Sequence, residues 1–474
     1  MSTRPHHNVT FAVLALGGIS YALLQSLVAP ALPDIQHALH TSPDAVSWVL
    51  TAYLLSASVA TPLIGRLGDM YGKERLLVIV LGLLSLGTVI AALASSLSVM
   101  LVGRVIQGAA GGIFPLAFGI IRDEFPRERV AGGIGLMSAL LGVGGGAGVV
   151  LAGPIVDNLS FHYLFWLSLI PILVATALTH LAVPESPVRV PGRVNWIAAS
   201  LMGLGIVFVL VAVSETAKWH WLSAKTLGLI GAGIVVLALW VVGESRSEQP
   251  LVDMRMMRIR GVWTTNLVAL LLGFGLYASF ILIPQLVETP SGHGYGFGAS
   301  VTKAGLFLLP STIAMLIVGA QTGRLEKRFG SKPPLLAGCL LAFASFALLA
   351  FAHTAQWEIY AASVLLGAGI GLAFASMANL IIENVGPGET GVATGMNTVT
   401  RTVGGAFGGA AVASLIARTV VPATGLPTSH GYSQAFGLCA VALLAGVVVG
   451  LWIPQRRPEE AFAPHAVGDL EPVR

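Results

Sequence analysis

Long apolar runs broken by short polar links recur along the whole chain. Windows of roughly 20 residues, the length that crosses a bilayer as a helix, begin near positions 9, 45, 76, 99, 131, 161, 193, 222, 261, 301, 332, 356, 390 and 432. The pattern predicts an all-α integral membrane protein of fourteen spanning helices. The seventh and eighth runs have the least secure ends, because Glu215, Lys218, His220 and Lys225 crowd the link between them.

One polar link is written twice. Gly65-Arg66-Leu67-Gly68-Asp69-Met70-Tyr71-Gly72 recurs 258 positions later as Gly323-Arg324-Leu325-Glu326-Lys327-Arg328-Phe329-Gly330. Gly135, Gly144, Gly145 and Gly148 of the fifth run are matched by Gly395, Gly404, Gly405 and Gly408 of the thirteenth at an offset of 260, and Gly108-Ala109 by Gly367-Ala368 at 259. Near-constant offsets imply two six-helix bundles with a pair of helices inserted between them. The expected organisation is a first bundle over 1–190, inserted linker helices over 191–245, a second bundle over 246–455 and a tail over 456–474. Duplicated membrane bundles of this kind are usually transporters.

Composition agrees: 55% of the 474 residues are hydrophobic, 10% charged, and 57 are glycine. The net charge of +4 does not point to nucleic acid, since the cations are divided among loops and form no basic face. With the N-terminus inside, twenty of the 26 Lys and Arg fall on the cytoplasmic side, while Lys218, Lys225, Lys303 and Arg418 fall outside. That asymmetry predicts both termini in the cytoplasm. Ala29-Pro30-Ala31 resembles a signal-peptidase site, but the first apolar run is longer than a signal's and its loss would leave an odd number of spans, so it is expected to stay. Cys339 and Cys439 both lie in predicted spans, and neither a disulfide framework nor a metal site is expected. An enzyme is not expected either, as the spans carry no nucleophile elbow, phosphate loop or paired zinc ligands.

Three motifs give the chain a resemblance to the major facilitator superfamily, in particular to its fourteen-span, bacterial drug:proton antiporter branch (DHA2-type). The loop from Gly65 to Arg75 matches the superfamily's motif between helices two and three, with Gly65, Asp69, Gly72, Lys73 and Arg75 in place. Arg104-Val105-Ile106-Gln107-Gly108 matches its fourth-helix motif, and Asn397 to Gly405 is similar to the branch's penultimate core helix. The resemblance implies a transporter working by alternating access, with the proton as coupling ion and no cofactor.

The candidate residues follow. Gly65, Arg66, Asp69, Gly72 and Arg75 read as a conformational latch, Asp69 facing a helix N-terminus or pairing with Arg66 or Arg75; the alternative is an ordinary positive loop. The repeat has Lys327 where Asp69 stands, so only the first loop is expected to keep its acid. Arg104 is a guanidinium inside a span, where insertion alone costs about 2.5–3.5 kcal/mol, and it needs a partner. In the family the matching Arg serves proton transfer or substrate binding; a purely structural role is the alternative. Gln107 and the pair Asn397 and Arg401 are placed with it for coupling or substrate contact. Asp34 and Glu288, at outer helix ends, are candidate proton carriers. Tyr21, Gln25, Tyr53, Asn266, Tyr277 and Gln285 are candidate cavity residues, and Gly144, Gly145, Gly148, Gly404, Gly405 and Gly408 are packing glycines.

Departures from the family pattern also count. The fifth-helix antiporter signature is degraded, with Gly148-Val149 in place of Gly-Pro and Pro154 displaced beyond it, and Leu24 occupies the place of a first-helix Asp. Arg104 and Arg401 are the only charges at mid-span, which favours neutral, zwitterionic or anionic substrates. The expected function is export of amphipathic, drug-like small molecules across the plasma membrane by proton antiport, as a monomer; the alternative is a proton symporter importing an organic metabolite or anion.

Overall fold

The structure is a computed structural model that describes residues 7–190, 192–421 and 424–455; the tail expected over 456–474 lies outside them. Among the described residues fourteen helices are long and apolar enough to cross a membrane: His7–Leu27, Trp48–Tyr71, Lys73–Ala92, Leu97–Glu124, Arg127–Asn158, His162–Ala182, Trp196–Ser214, Ala224–Ser245, Arg260–Glu288, Thr302–Phe329, Lys332–Phe351, Gln356–Asn384, Pro387–Arg418 and Ser429–Leu451. They are numbered here as spans 1 to 14. Each starts within a few residues of its apolar window, because hydropathy decides where a chain can leave water. The one strand pair among the described residues is small: Val420–Val421 runs antiparallel to Leu426–Pro427 in the link before span 14.

The duplication is visible in the packing. In the first half, span 1 packs on spans 5 and 6, span 3 on 4 and 6, and span 2 on 4; in the second, span 9 packs on 13 and 14, span 11 on 12 and 14, and span 10 on 12. Each half has its own buried apolar cluster. The halves meet along two seams that the repeat relates to each other, span 2 against span 13 and span 5 against span 10. Spans 7 and 8 pack on each other, and span 7 lies over the first seam, against spans 2 and 13.

Lipid offers helices little hydrophobic reason to associate, so close backbone approach must hold them. The matched glycines supply it within each half. A side chain at Gly144 or Gly148 would strike span 1 at Ile19 O or Leu23 O, and one at Gly404 or Gly408 would strike span 9 at Leu270 O or Phe274 O. Gly405 lies against the Tyr277 ring, and Gly145 faces Ser26 Oγ. Span 4 departs from a plain helix: a 3-10 turn over Ala109–Gly112 splits it, where Gly108 and Gly111 press on Ser56 and Thr61 of span 2.

Candidate functional site

The spans alternate direction, so the loops after even-numbered spans share one face, called here the latch face. The loop after span 2 closes that face. Asp69, fully buried at the end of span 2, accepts hydrogen bonds from the backbone amides of Gly391 (3.1 Å) and Val392 (3.3 Å) in the first turns of span 13. A carboxylate at the positive end of a helix is well placed. Gly65, one turn earlier, lies backbone to backbone on Gly391, and Gly72 adopts φ +116, a region that favours glycine.

The partners of Asp69 differ from those expected. Its ion pair is with Lys73 (3.5 Å), not Arg66 or Arg75. Lys73 is also buried and pairs with Asp123 of span 4 at 2.7 Å. Arg75 instead reaches Glu185 (3.5 Å) in the link to span 7, and Arg66 lies against Gly192. Arg122 completes the closure from span 4, donating to Thr390 Oγ1 (2.6 Å), Gly386 O (3.1 Å) and Val385 O (2.9 Å), the last two at the end of span 12. Asp123, Arg122 and Glu185 were not singled out from sequence, since their partners lie tens to hundreds of residues away.

The second seam repeats the glycine contact, Gly323 against Gly132, but not the chemistry. Lys327 stands where the count puts Asp69, yet it is exposed. The buried acid is its neighbour Glu326, whose Oε2 accepts from Asn379 Nδ2 of span 12 (2.6 Å); Asn379 also donates to Ala131 O of span 5 (3.3 Å). The expectation that the second copy lacks an acid is therefore corrected. Position along the chain set the alignment, whereas the phase of the helix chose which side chain turns inward.

Deeper in the molecule Arg401 borders the space between the halves, and Arg104 is buried within the first half against span 2. Arg104 is fully buried; its Nε donates to Val49 O (2.9 Å), one terminal nitrogen donates to Gln107 Oε1 (2.8 Å), and its Cζ lies 4.3 Å from the centre of the Tyr53 ring. The other terminal nitrogen has no hydrogen-bond partner among the described residues, and Gln107 passes the network on to Thr88 Oγ1 at 3.1 Å. Arg401 lies 4.4 Å over the Phe374 ring, and one turn away Asn397 donates to Asn266 Oδ1 (2.9 Å). Tyr21 sits between the arginines, within electrostatic reach of Arg104, Arg401 and Tyr277, and its ring is 6.3 Å from that of Tyr53. A void of about 20 Å³ remains between Phe114, Phe118 and Ser138 of the first half and Phe374, Asn397 and Arg401 of the second. Among the described residues no carboxylate pairs with either arginine.

Such a centre, lined by cations and aromatic faces contributed by both repeats, suits a shared substrate site. The sequence profile of the Major Facilitator Superfamily matches residues 14–409. The chain belongs to this superfamily.

Its superfamily relatives include the tetracenomycin C resistance and export protein of Streptomyces glaucescens, 28% identical over 87% of this chain and 76% of that protein. Another is the multidrug transporter MdtP of Bacillus subtilis, 26% identical over 82% and 71%. These are bacterial drug-resistance transporters, in agreement with the branch that the motifs resemble. Among solved structures, the human organic anion transporter MFSD10 superposes with a TM-score of 0.67 over 94% of this chain and all of that one; at 16% identity the likeness is one of fold. The chain is thus a multi-pass membrane transporter and not an enzyme.

Other candidate residues stand apart from the centre. Asp34 lies on a short helix, Leu32–Ala38, beyond span 1, and Glu288 is the last residue of span 9; both are exposed on the face opposite the latch and neither forms an ion pair among the described residues. Gln285 is exposed near Glu288, and Gln25 is half-buried one turn past Tyr21.

Proposed function

We propose that the chain exports amphipathic, drug-like small molecules of neutral or anionic character by proton antiport, as a monomer in a bacterial plasma membrane. The latch face is the cytoplasmic one, because the loops on it carry most of the Lys and Arg. In the state described, Asp69 and Arg122 tie spans 2 and 4 to span 13 on that face, a contact that would close the arginine centre to the cytoplasm. Parting of the two seams would open the centre inward, and their closure would commit the substrate outward.

The observation that carries the substrate class is the pair of mid-span guanidiniums, Arg104 fully buried with an unpartnered nitrogen and Arg401 half-buried, set against Tyr53 and Phe374 with no acid paired to either among the described residues. An anionic or electron-rich planar group satisfies that arrangement, whereas a permanent cation is repelled by it. Purified protein in liposomes under an imposed pH gradient tests the reading, with tetracenomycin C, carboxyfluorescein and ethidium as probes and interior pH followed in parallel. Movement of the first two against their gradients as protons flow the other way supports it. Uptake in the direction of proton flow would establish symport, and transport of ethidium alone would overturn the substrate class.

A further inference from the structure

The two seams are related by the duplication, yet their acids sit in different surroundings. Asp69 is met by Lys73 and two backbone amides. Glu326 is 4% exposed, and its nearest donors are neutral, the Asn379 amide and the Ser376 hydroxyl. No cation lies within ion-pair distance of it among the described residues. Around it, Ser376 of span 12 brings a hydroxyl within hydrogen-bonding reach of the carboxyl, and Asn379 Oδ1 is a buried oxygen without a hydrogen-bond partner among the described residues.

Glu326 borders a pocket of about 300 Å³ that opens on the latch face between the halves. The titratable groups facing this pocket are Arg127 and Glu128 from span 5, Lys327 from its own span, Lys332 from span 11 and Glu383 from span 12. Glu383 accepts the Ser331 hydroxyl at 2.5 Å. The three cations border the pocket without pairing with Glu326. In the closed seam Glu326 therefore has no counter-cation among the described residues, and a proton on it supplies a donor for Asn379 Oδ1. Parting spans 5 and 10 breaks the Asn379 bridge to Ala131 and gives the same carboxyl to water.

We propose that Glu326 is a proton-sensing switch for the second seam. It takes a proton from the latch side when spans 5 and 10 close and returns it when they part, so acidity on that side holds the seam shut. The closed state binds one proton more than the open one, and the ratio of closed to open rises by up to about tenfold for each unit that the pH falls. The inference rests on the alternating access proposed above, but not on the direction or coupling ion of transport.

The test needs no substrate. Spin labels at Arg129→Cys and Arg328→Cys, both exposed and on opposite sides of this seam, report its width, while the native Cys339 and Cys439 are buried. The wild-type background is expected to show a short separation at low pH and a growing long-distance population as pH rises. Glu326→Gln should stay short at every pH, Glu326→Asp should restore the dependence, and Glu383→Gln should keep it. A wild-type separation that ignores pH, or a dependence that survives in Glu326→Gln, overturns the proposal. In the second case a positive liposome experiment would leave the antiport reading standing.

Discussion

Asp69 and Arg104 show how much one residue can determine here. Asp69 accepts charge-assisted hydrogen bonds from a helix terminus, each worth about 1.5–3 kcal/mol, and lies in an ion pair with the buried Lys73 ammonium. Asp69→Asn keeps the shape and removes the charge. It should raise alkylation of a Thr394→Cys reporter, buried behind the latch, by roughly 10- to 100-fold from the latch face; an unchanged rate would mean that the contact does not hold the face shut. Arg104→Ala and Arg401→Ala should each lower transport of an anionic probe at least about tenfold. If both variants kept full resistance to an anionic compound and lost it only for a lipophilic cation, the substrate assignment would be wrong. Arg104 was legible in the sequence because a charge inside an apolar run announces its own cost. Lys73 as the true partner of Asp69, and Glu326 as the buried acid of the repeat, were not. Both depend on helix phase and on contacts between distant spans, and neither leaves a trace in hydropathy.

At the scale of helices, the matched glycines do two different jobs. Gly144, Gly148, Gly404 and Gly408 knit spans 5 and 13 to spans 1 and 9 inside a half, whereas Gly65 meets Gly391, and Gly323 meets Gly132, across the seams. Repeat offset found Gly65, Gly323 and the four glycines inside the halves, but not Gly391 or Gly132, and could not say which face met which partner. A side chain on Gly65 would run into the Gly391 carbonyl and lie 3.0 Å from Val392 N, and overpacking of this kind costs about 1–3 kcal/mol. Gly65→Val should therefore open the latch face by roughly 5- to 150-fold, with the purified protein still monodisperse. Gly404→Val strikes Leu270 O within one half and should instead lower the melting temperature and the yield. Equal thermal loss in both variants would contradict this division. The inserted helices fit the same scheme, since span 7 covers the seam between spans 2 and 13: Gly203 faces Val59, and Trp221 in the link to span 8 stacks on Phe407 of span 13 at 6.3 Å.

The whole molecule is a duplication whose two copies have been given unequal chemistry. The fold was almost fully legible: fourteen windows became fourteen spans, and constant offsets became matched packing in the two halves. The centre was legible in its two arginines but not in its aromatic partner Phe374, which looks like any other apolar residue until the halves are brought together. Function in this account requires the seams to part. Gly135 of span 5 and Ala375 of span 12 offer a direct handle, because a Cβ built on Gly135 lies 3.5 Å from the Ala375 Cβ, within the range a disulfide accepts. Gly135→Cys with Ala375→Cys should cross-link under oxidation, and substrate transport by the reconstituted protein should then stop and return on reduction. Transport at the uncross-linked rate by fully oxidised protein would contradict the account.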